Sequence, residues 1–394
     1  MSAAVVYTQI RRFLKQYIDP RVDESSLERL SLLVMGIIRA QSAAPARIAE
    51  ALDTLGLSNA SAESIERRIR RIENDPELDA TLCFHPLAQQ RLLWARPQEL
   101  LLILDPTTQE DRLVMVSVAV WYRGRALPLG WVIWPGNTPL KGAGFWARIA
   151  ALLDMIAPLL PRGVPVTWLA DRAFGTPAFT DLVTARGWHY VVRVQELTLF
   201  RDRLGREWQA KQLTPWPGQR AKRRGHVFKK RGWRPASMLV YWGRRHPQRL
   251  CLVTDLRPGW YLIALYRRRY PIEATFRDYK SAGWQWEQGQ VTDLAHIQRL
   301  LVGMALATWV ALMVGTQVAT EWLACPPTGR RRTRPWPGKY SLFHLGLHRL
   351  LKAMQGNMPF ACGWLLCDWD APDWHIQIRN HHAIAFVWAW DNGL

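Results

Sequence analysis

The chain has 394 residues, with 52 Lys+Arg against 32 Asp+Glu and a formal charge of +20. At 49% apolar and 21% charged residues it is not a disordered chain, and its length allows a sizeable core in two or more structural units. The positive excess calls for an anionic partner, either nucleic acid or an acidic membrane surface. Cys83, Cys251, Cys325, Cys362 and Cys367 are scattered and odd in number, which excludes a disulfide framework and fits a reducing compartment. No CxxC pair marks a zinc site, and MSAAVVYTQIRRFLKQY lacks the apolar stretch and cleavage site of a signal peptide.

The first elements are helical. Leu27, Leu30, Leu33 and Val34 start an apolar face, and PARIAEALDTLG is a short helix stopped by Gly56. A third helix begins near Ser61, with Ile65, Ile69 and Ile72 on one face and Arg67, Arg68, Arg70 and Arg71 over much of the rest. Three short helices with a basic last one resemble a helix-turn-helix unit, and read equally as a bundle with a solvated basic helix. From Glu99 the pattern turns to strands: Leu101 to Leu104 ending at Asp105, then 113–122, a turn at Arg123–Arg125 and a third strand around 127–134. This spacing predicts an antiparallel meander. A helix over 145–160, a strand over 164–170 delivering Asp171, a helix over 177–186 and a strand over 188–194 complete a mixed α/β core.

Residues 196–249 hold fifteen Lys+Arg and three Asp+Glu among glycines, prolines and short alternating pieces, which predicts a β-rich insertion. Regular structure returns with 250–256, 260–266, a helix through 270–281 and helices around 293–315. Leu300 to Thr320 carries no charge over nearly the length of a membrane span. Its Thr308, Gly315, Thr316, Gln317 and Thr320 favour a buried core helix. CPPTGRRRTRPWPGKY opens a turn-rich basic linker and a tail rich in Trp and His, where His381 and His382 lack the partners of a metal site.

Asp105 and Asp171 follow strands, and Glu273 sits on a helix. Converging carboxylates suit Mg²⁺ because hard cations prefer oxygen ligands. Two such ions, roughly 4 Å apart, support in-line phosphoryl transfer. Around Glu273 the sequence reads Tyr266-Arg-Arg-Arg269-Tyr-Pro-Ile-Glu273-Ala-Thr-Phe-Arg-Asp-Tyr-Lys280. At 100° per residue Tyr266, Arg269, Glu273 and Lys280 share a sector of about 60°. Pro271 belongs in a first turn, so the helix is expected to begin near 270 with Tyr266 and Arg269 at its entrance.

The pattern Tyr266-x2-Arg269-x3-Glu273-x6-Lys280 resembles the YREK signature of IS4-family insertion-sequence transposases of the Tn5 type, within the broader DDE transposases. The resemblance implies an RNase H-like mixed-sheet catalytic core (α/β) interrupted by a β-rich insertion, with a helical N-terminal domain. It gives a DNA-binding domain at 1–97, a core at 98–195 and 250–320, an insertion at 196–249, and a basic linker and tail at 321–394 serving dimerisation. It implies Asp105, Asp171 and Glu273 as catalytic metal ligands for two Mg²⁺ ions, with Mn²⁺ able to substitute. Tyr266, Arg269 and Lys280 would hold phosphates near the cleaved 5′ end, and no ATP or other nucleotide cofactor is needed. The partners implied are double-stranded DNA at element ends and target DNA, bound by a homodimer, in the bacterial cytoplasm at the nucleoid and not at a membrane. Cut-and-paste transposition, with a hairpin intermediate, is the activity implied.

Two departures stand out. Asp171-Arg172-Ala173-Phe174 has Ala where relatives often have Gly, and the strand Arg249-Leu250-Cys251-Leu252 lacks the Trp on which some relatives stack a base. Trp233 and Trp242 lie nearby but read as packing residues, as do Trp188 and Trp284. Phosphate tracking is expected of Arg172, of Lys222, Arg223 and Arg224, of Lys229, Lys230 and Arg231, and of Arg330 to Arg332. A nuclease of the same fold without strand transfer, and a non-enzymatic DNA-binding regulator, are the alternative readings.

Overall fold

The computed structural model describes residues 3–324, apart from 57–60, 96, 110 and 290, together with residues 340–362. The cluster Arg330 to Arg332, His381, His382, and most of the expected linker and tail lie outside the described residues.

Six helices open the chain: α1 (Ala4–Tyr17), α2 (Glu24–Ala40), α3 (Pro45–Asp53), α4 (Ala62–Glu73), α5 (Ala80–Cys83) and α6 (His85–Ala95). Local chemistry sets several boundaries. The Asp23 side chain accepts from the Ser26 amide to start α2, Ser61 accepts from Ser64 to start α4, and Gly56 takes a left-handed φ of +58° after α3. The basic helix α4 buries Ile65, Ile69 and Ile72. Arg67 and Arg70 pair with Glu63 and Glu66 one turn earlier, leaving Arg68 and Arg71 exposed.

A mixed ten-stranded sheet follows. Strands β1 (Leu100–Gln109), β2 (Leu113–Tyr122) and β3 (Arg125–Pro135) form the expected meander. Helix α7 (Gly142–Ile156) leads to β4 (Val166–Ala170), which lies parallel to β1. Helix α8 (Pro177–Thr184) leads to β5 (His189–Arg193), parallel to β4. The insertion supplies β6 (Leu199–Asp202), β7 (Glu207–Gln209), β8 (Arg220–Val227) and β9 (Arg234–Tyr241), and β10 (Leu250–Thr254) then pairs with both β5 and β9. The order is β3-β2-β1-β4-β5-β10-β9-β8-β6-β7. The insertion therefore extends the central sheet: β10 offers one edge to β5 and the other to β9.

Four helices complete the described chain: α9 (Tyr261–Arg267), α10 (Pro271–Arg277), α11 (Leu294–Ala324) and α12 (Leu342–Gly356). Helix α11 is long and apolar enough to cross a membrane, yet 89% of its Leu294–Glu321 stretch is buried inside the protein, against β3, α2 and α12. Thr308 and Thr316 turn their hydroxyls back to the Met304 and Leu312 carbonyls, which explains how they sit in the core. Burying each of its leucines contributes about 1.5–3 kcal/mol.

Two glycines set the α11–α12 crossing. A Cβ on Gly346 would lie 1.7 Å from the Ala311 carbonyl oxygen, and one on Gly315 would lie 1.8 Å from that of Leu342. Backbone on both sides leaves nothing flexible to yield. Gly346→Ala is therefore expected to destabilise the fold by about 1–3 kcal/mol, although Ala is the better helix former. Urea unfolding would measure it, and a variant as stable as wild type would contradict this crossing.

His85 opens α6 and is 5% exposed, between Phe84 and the meander. Burial lowers its pKa to about 4, opposed only weakly by Asp79. The folded protein thus binds this proton less readily than the unfolded chain, whose histidines titrate near 6.5. Its contribution is fully present above pH 6.5 and is lost as pH falls through about 4, costing on the order of 3 kcal/mol. A His85→Gln variant should show a flatter melting temperature between pH 7 and pH 4 than wild type.

Candidate active site

Strand register brings the first two carboxylates together. Leu104 pairs with Ala170 across the parallel strands β1 and β4, so Asp105 and Asp171, the next residues, stand level on neighbouring strands. Neighbouring strands are about 4.8 Å apart. Both side chains leave the sheet on the face opposite Trp168, which packs on Phe179 of α8. Asp105 does not end its strand, as the apolar run implied. β1 continues through Gln109 because β2 pairs with it from Leu102 to Gln109. Pro106 falls just where β4 has ended and no longer needs an amide partner, so the crevice opens at the carboxyl end of β4.

Glu273 reaches this crevice from α10. Pro271 occupies the first turn of that helix, as expected, but Tyr266 lies on the separate helix α9, with Arg269 in the turn between. The Arg269 guanidinium bridges the carboxylates: Nη1 is 3.0 Å from Asp105 Oδ2 and Nη2 is 2.8 Å from Glu273 Oε1. Its side chain is 7% exposed, against 59% for Glu273. Burial pushes the Asp105 carboxyl up to about 6; Arg269 opposes this, and the neighbouring Asp171 and Glu273 charges add to it. The Arg269 pKa is raised above its ordinary value by Asp105, Tyr266, Asp171 and Glu273, against the cost of burial. Tyr266 is buried and its phenol pKa is raised, first by burial, with Asp171 contributing. Asp105, Asp171, Tyr266, Arg269 and Glu273 are therefore one electrostatic cluster.

Lys280 makes its ion pair elsewhere, with Glu287. The helix widens into a π turn over Asp278–Ala282, which breaks the 100° spacing, and Lys280 Nζ sits 3.2 Å from Glu287. Asp278 points inward to a buried ion pair with Arg125 at the start of β3. Beside it, the Thr275 hydroxyl donates to the Ala126 carbonyl, so α10 is fastened to the sheet at both points.

Sequence reasoning passed over Arg193. Val192 pairs with Ala170, so Arg193 closes β5 at the level of Asp171, and its charge acts on Tyr266. Only the parallel pairing of β4 and β5 reveals this. Beside Arg193 is a cavity of about 200 Å³ lined also by Tyr241, Gln248, Leu250 and Tyr270. The same transverse row continues through Leu252 and Leu239 to Lys222 on β8, which puts Lys222 on the carboxylate face and its neighbour Arg223 on the other. Lys222 and Arg220 lie over Trp260. β8 is four strands from β4, roughly 19 Å. Arg249 lies over the Trp242 ring at 3.6 Å and Arg201 over the Trp233 ring at 4.6 Å. Arg172, Lys229, Lys230 and Arg231 line a second, larger cavity next to Asp171.

Among the described residues no group of three or more His, Cys, Asp or Glu side chains is arranged to hold a metal ion, and Arg269 stands between Asp105 and Glu273. The donors that fit a cation are Asp105 and Asp171. Asp171 Oδ1 is buried without any hydrogen-bond partner, as expected of a ligand atom and costly otherwise.

No curated protein matches the chain. One solved structure similar to it is a cryo-EM structure of a piggyBac transposase synaptic complex with hairpin DNA. It is 9% identical, covers 97% of this chain and 82% of that chain, and has a TM-score of 0.45. Residues 147–310 match a family described as the transposase DDE domain, a stretch that holds Asp171, Tyr266, Arg269, Glu273 and Lys280 and leaves Asp105 outside. Residues 147–310, which supply β4 to β10 of the mixed sheet behind the helical N-terminal region, are thus similar to a transposase DDE domain.

Proposed function

We propose that this chain is a DNA transposase of the IS4 type, cutting DNA at the ends of its element and joining the released 3′-hydroxyl to target DNA. The observation that carries the reading is that Asp105 and Asp171 stand level on neighbouring parallel strands where β4 ends, with Asp171 Oδ1 buried and unpartnered. The family match over 147–310 supports it independently. Asp105, Asp171 and Glu273 would hold Mg²⁺, with Glu273 joining once its ion pair with Arg269 opens. When bound, the metal supplies Lewis-acid stabilisation of the charge that develops on the transferring phosphoryl group.

The chain's own residues do the rest. Arg269 neutralises the acidic pair in the free protein, and its fork geometry suits a phosphate. Arg193 stands level with Asp171 on the next strand, and Tyr266 is coupled to both charges, so the two would contact a phosphate held at Asp171. Burial of Asp105 and Tyr266 excludes water from one wall of the site and strengthens each electrostatic contact there. Neither hydrolysis nor strand transfer requires a covalent protein intermediate, because a water or a 3′-hydroxyl attacks phosphorus directly.

The test incubates the purified full-length chain with Mg²⁺ and DNA carrying both flanks of its gene. Nicks or breaks at the element ends, followed by joined products, are the expected result. Cleavage without joining identifies the nuclease alternative. If neither Mg²⁺ nor Mn²⁺ supports a cut at the ends, the proposal fails.

A further inference from the structure

The Arg269 guanidinium lies between two acids of different standing. Towards the sheet, Nη1 is 3.0 Å from Asp105 Oδ2, and both side chains are buried to about nine-tenths. Towards solvent, Nη2 is 2.8 Å from an oxygen of Glu273, whose side chain is largely exposed. Removing one partner of the inner pair leaves an uncompensated buried charge. The outer pair is half in water and contributes little. A further donor is unused: Arg269 Nε is buried without a hydrogen-bond partner, although such a group is costly to leave unpaired. Nε and Nη2 share one edge of the guanidinium, the fork that takes two oxygens of a phosphate. The guanidinium lies over the ring of the exposed Tyr270, 5.1 Å from its centre.

This arrangement decides what can enter. A divalent ion at Asp105 would share that carboxylate with the guanidinium and would lack Glu273. Like charges so close oppose each other. Arg269 cannot leave unaided, because its charge would then stand bare in a buried site. A phosphate removes the obstacle. It can bond the free Nε first and take Nη2 from the half-solvated Glu273 next, which leaves Glu273 free to turn to Asp105 and Asp171. At no stage is the guanidinium without an anion.

We infer that Arg269 is a gate on the cation site: it shuts the site in the free protein and yields it to a DNA phosphate, so the chain binds a divalent ion tightly only with DNA in place. The inference rests on the metal-dependent reading proposed above and supplies its regulation. Ion and DNA then raise each other's affinity by one factor, since coupling between two binding sites is reciprocal.

The experiment measures free Mn²⁺ by electron paramagnetic resonance with the full chain alone and with a duplex carrying one flank of its gene, after subtracting the ion bound by the duplex itself. DNA is expected to tighten Mn²⁺ binding by wild type about tenfold or more, within the roughly 5–150-fold range of coupled sites. Arg269→Gln removes the charge. It should tighten binding by the chain without DNA about tenfold and cut the further gain from DNA to about twofold. Circular dichroism checks that it folds. Arg269→Lys keeps the charge and loses the fork, so it should bind as weakly as wild type without DNA and gain less than about threefold with it. That variant decides the matter if the glutamine form does not fold. Equal Mn²⁺ binding by wild type with and without DNA overturns the inference. So does a folded Arg269→Gln chain that binds like wild type, or an Arg269→Lys chain that gains as much from DNA as wild type. End cleavage scored in the wild-type samples separates the two readings. Cleavage with Mn²⁺ binding indifferent to DNA removes only the gate, and DNA-enhanced binding without cleavage removes only the transposase reading. No Mn²⁺ bound in either state removes both.

Discussion

Asp171→Asn is expected to reduce Mg²⁺-dependent cleavage at the element ends by roughly 10³-fold or more while leaving the protein folded. The substitution keeps the shape of the side chain and removes one of two paired carboxylates. Metal stabilisation of a phosphoryl transition state is worth several kcal/mol, and each 1.36 kcal/mol is about a factor of ten. Stability should move little, because the Asp171 charge stands beside another carboxylate and helps to push the Asp105 pKa up. The Asn carbonyl can take the buried position of Oδ1, which has no partner to lose. Cleavage at the wild-type rate would show that Asp171 holds no catalytic metal. Loss of cleavage together with a fall in melting temperature of many degrees would mean that the residue acts through folding instead.

The second large effect concerns the fastening of α10. Arg125 and Asp278 are 6% and 1% exposed and hydrogen-bonded to each other. Burial lowers the Arg125 pKa to about 10, aided by nearby Arg277, so it remains charged at neutral pH. Arg125→Met leaves the Asp278 carboxylate buried and uncompensated, and a loss of about 3–5 kcal/mol is expected. Arg125→Met/Asp278→Leu removes both charges and should recover most of it. Urea unfolding of the two variants checks this, and a loss below about 1 kcal/mol in the single variant contradicts it. Because Asp278 lies five residues after Glu273 and one turn beyond Thr275, which bonds Ala126, the single variant should also loosen the placement of Glu273.

Much of the fold was legible from local pattern. Strands at 113–122, 166–170 and 189–193, helices beginning at 24, 45 and 62, and the β-rich character of 196–249 follow from alternation, caps and turn residues acting over a few positions. The uncharged stretch from Leu300 was readable as core because its hydroxyls can satisfy themselves on their own helix. Other elements were missed for physical reasons. Helix α12 follows a basic, turn-rich stretch, and its close approach to α11 depends on Gly315 and Gly346, which look ordinary in sequence. The length of β1 beyond Asp105 is set by its partner β2 and not by its own apolar run.

For the candidate site, the sequence by itself determined which groups are present: two acids after apolar strand-forming runs, a third after Pro271, and the spaced Tyr266, Arg269 and Lys280. Side-chain chemistry and helix-start rules are local, so they can be read along the chain. Only the tertiary structure decided which of them meet. Strand register, a contact between residues far apart in sequence, sets Asp105 beside Asp171 and adds Arg193. Attraction to the carboxylates holds Arg269 between Asp105 and Glu273 against the cost of its burial. A π turn sends Lys280 to Glu287. The +20 charge named only an anionic partner; the fold divides part of it between a row ending at Lys222 and a cleft at Arg172, Lys230 and Arg231, because sheet order and the Arg234–Asp181 ion pair fix where the insertion lies against the core.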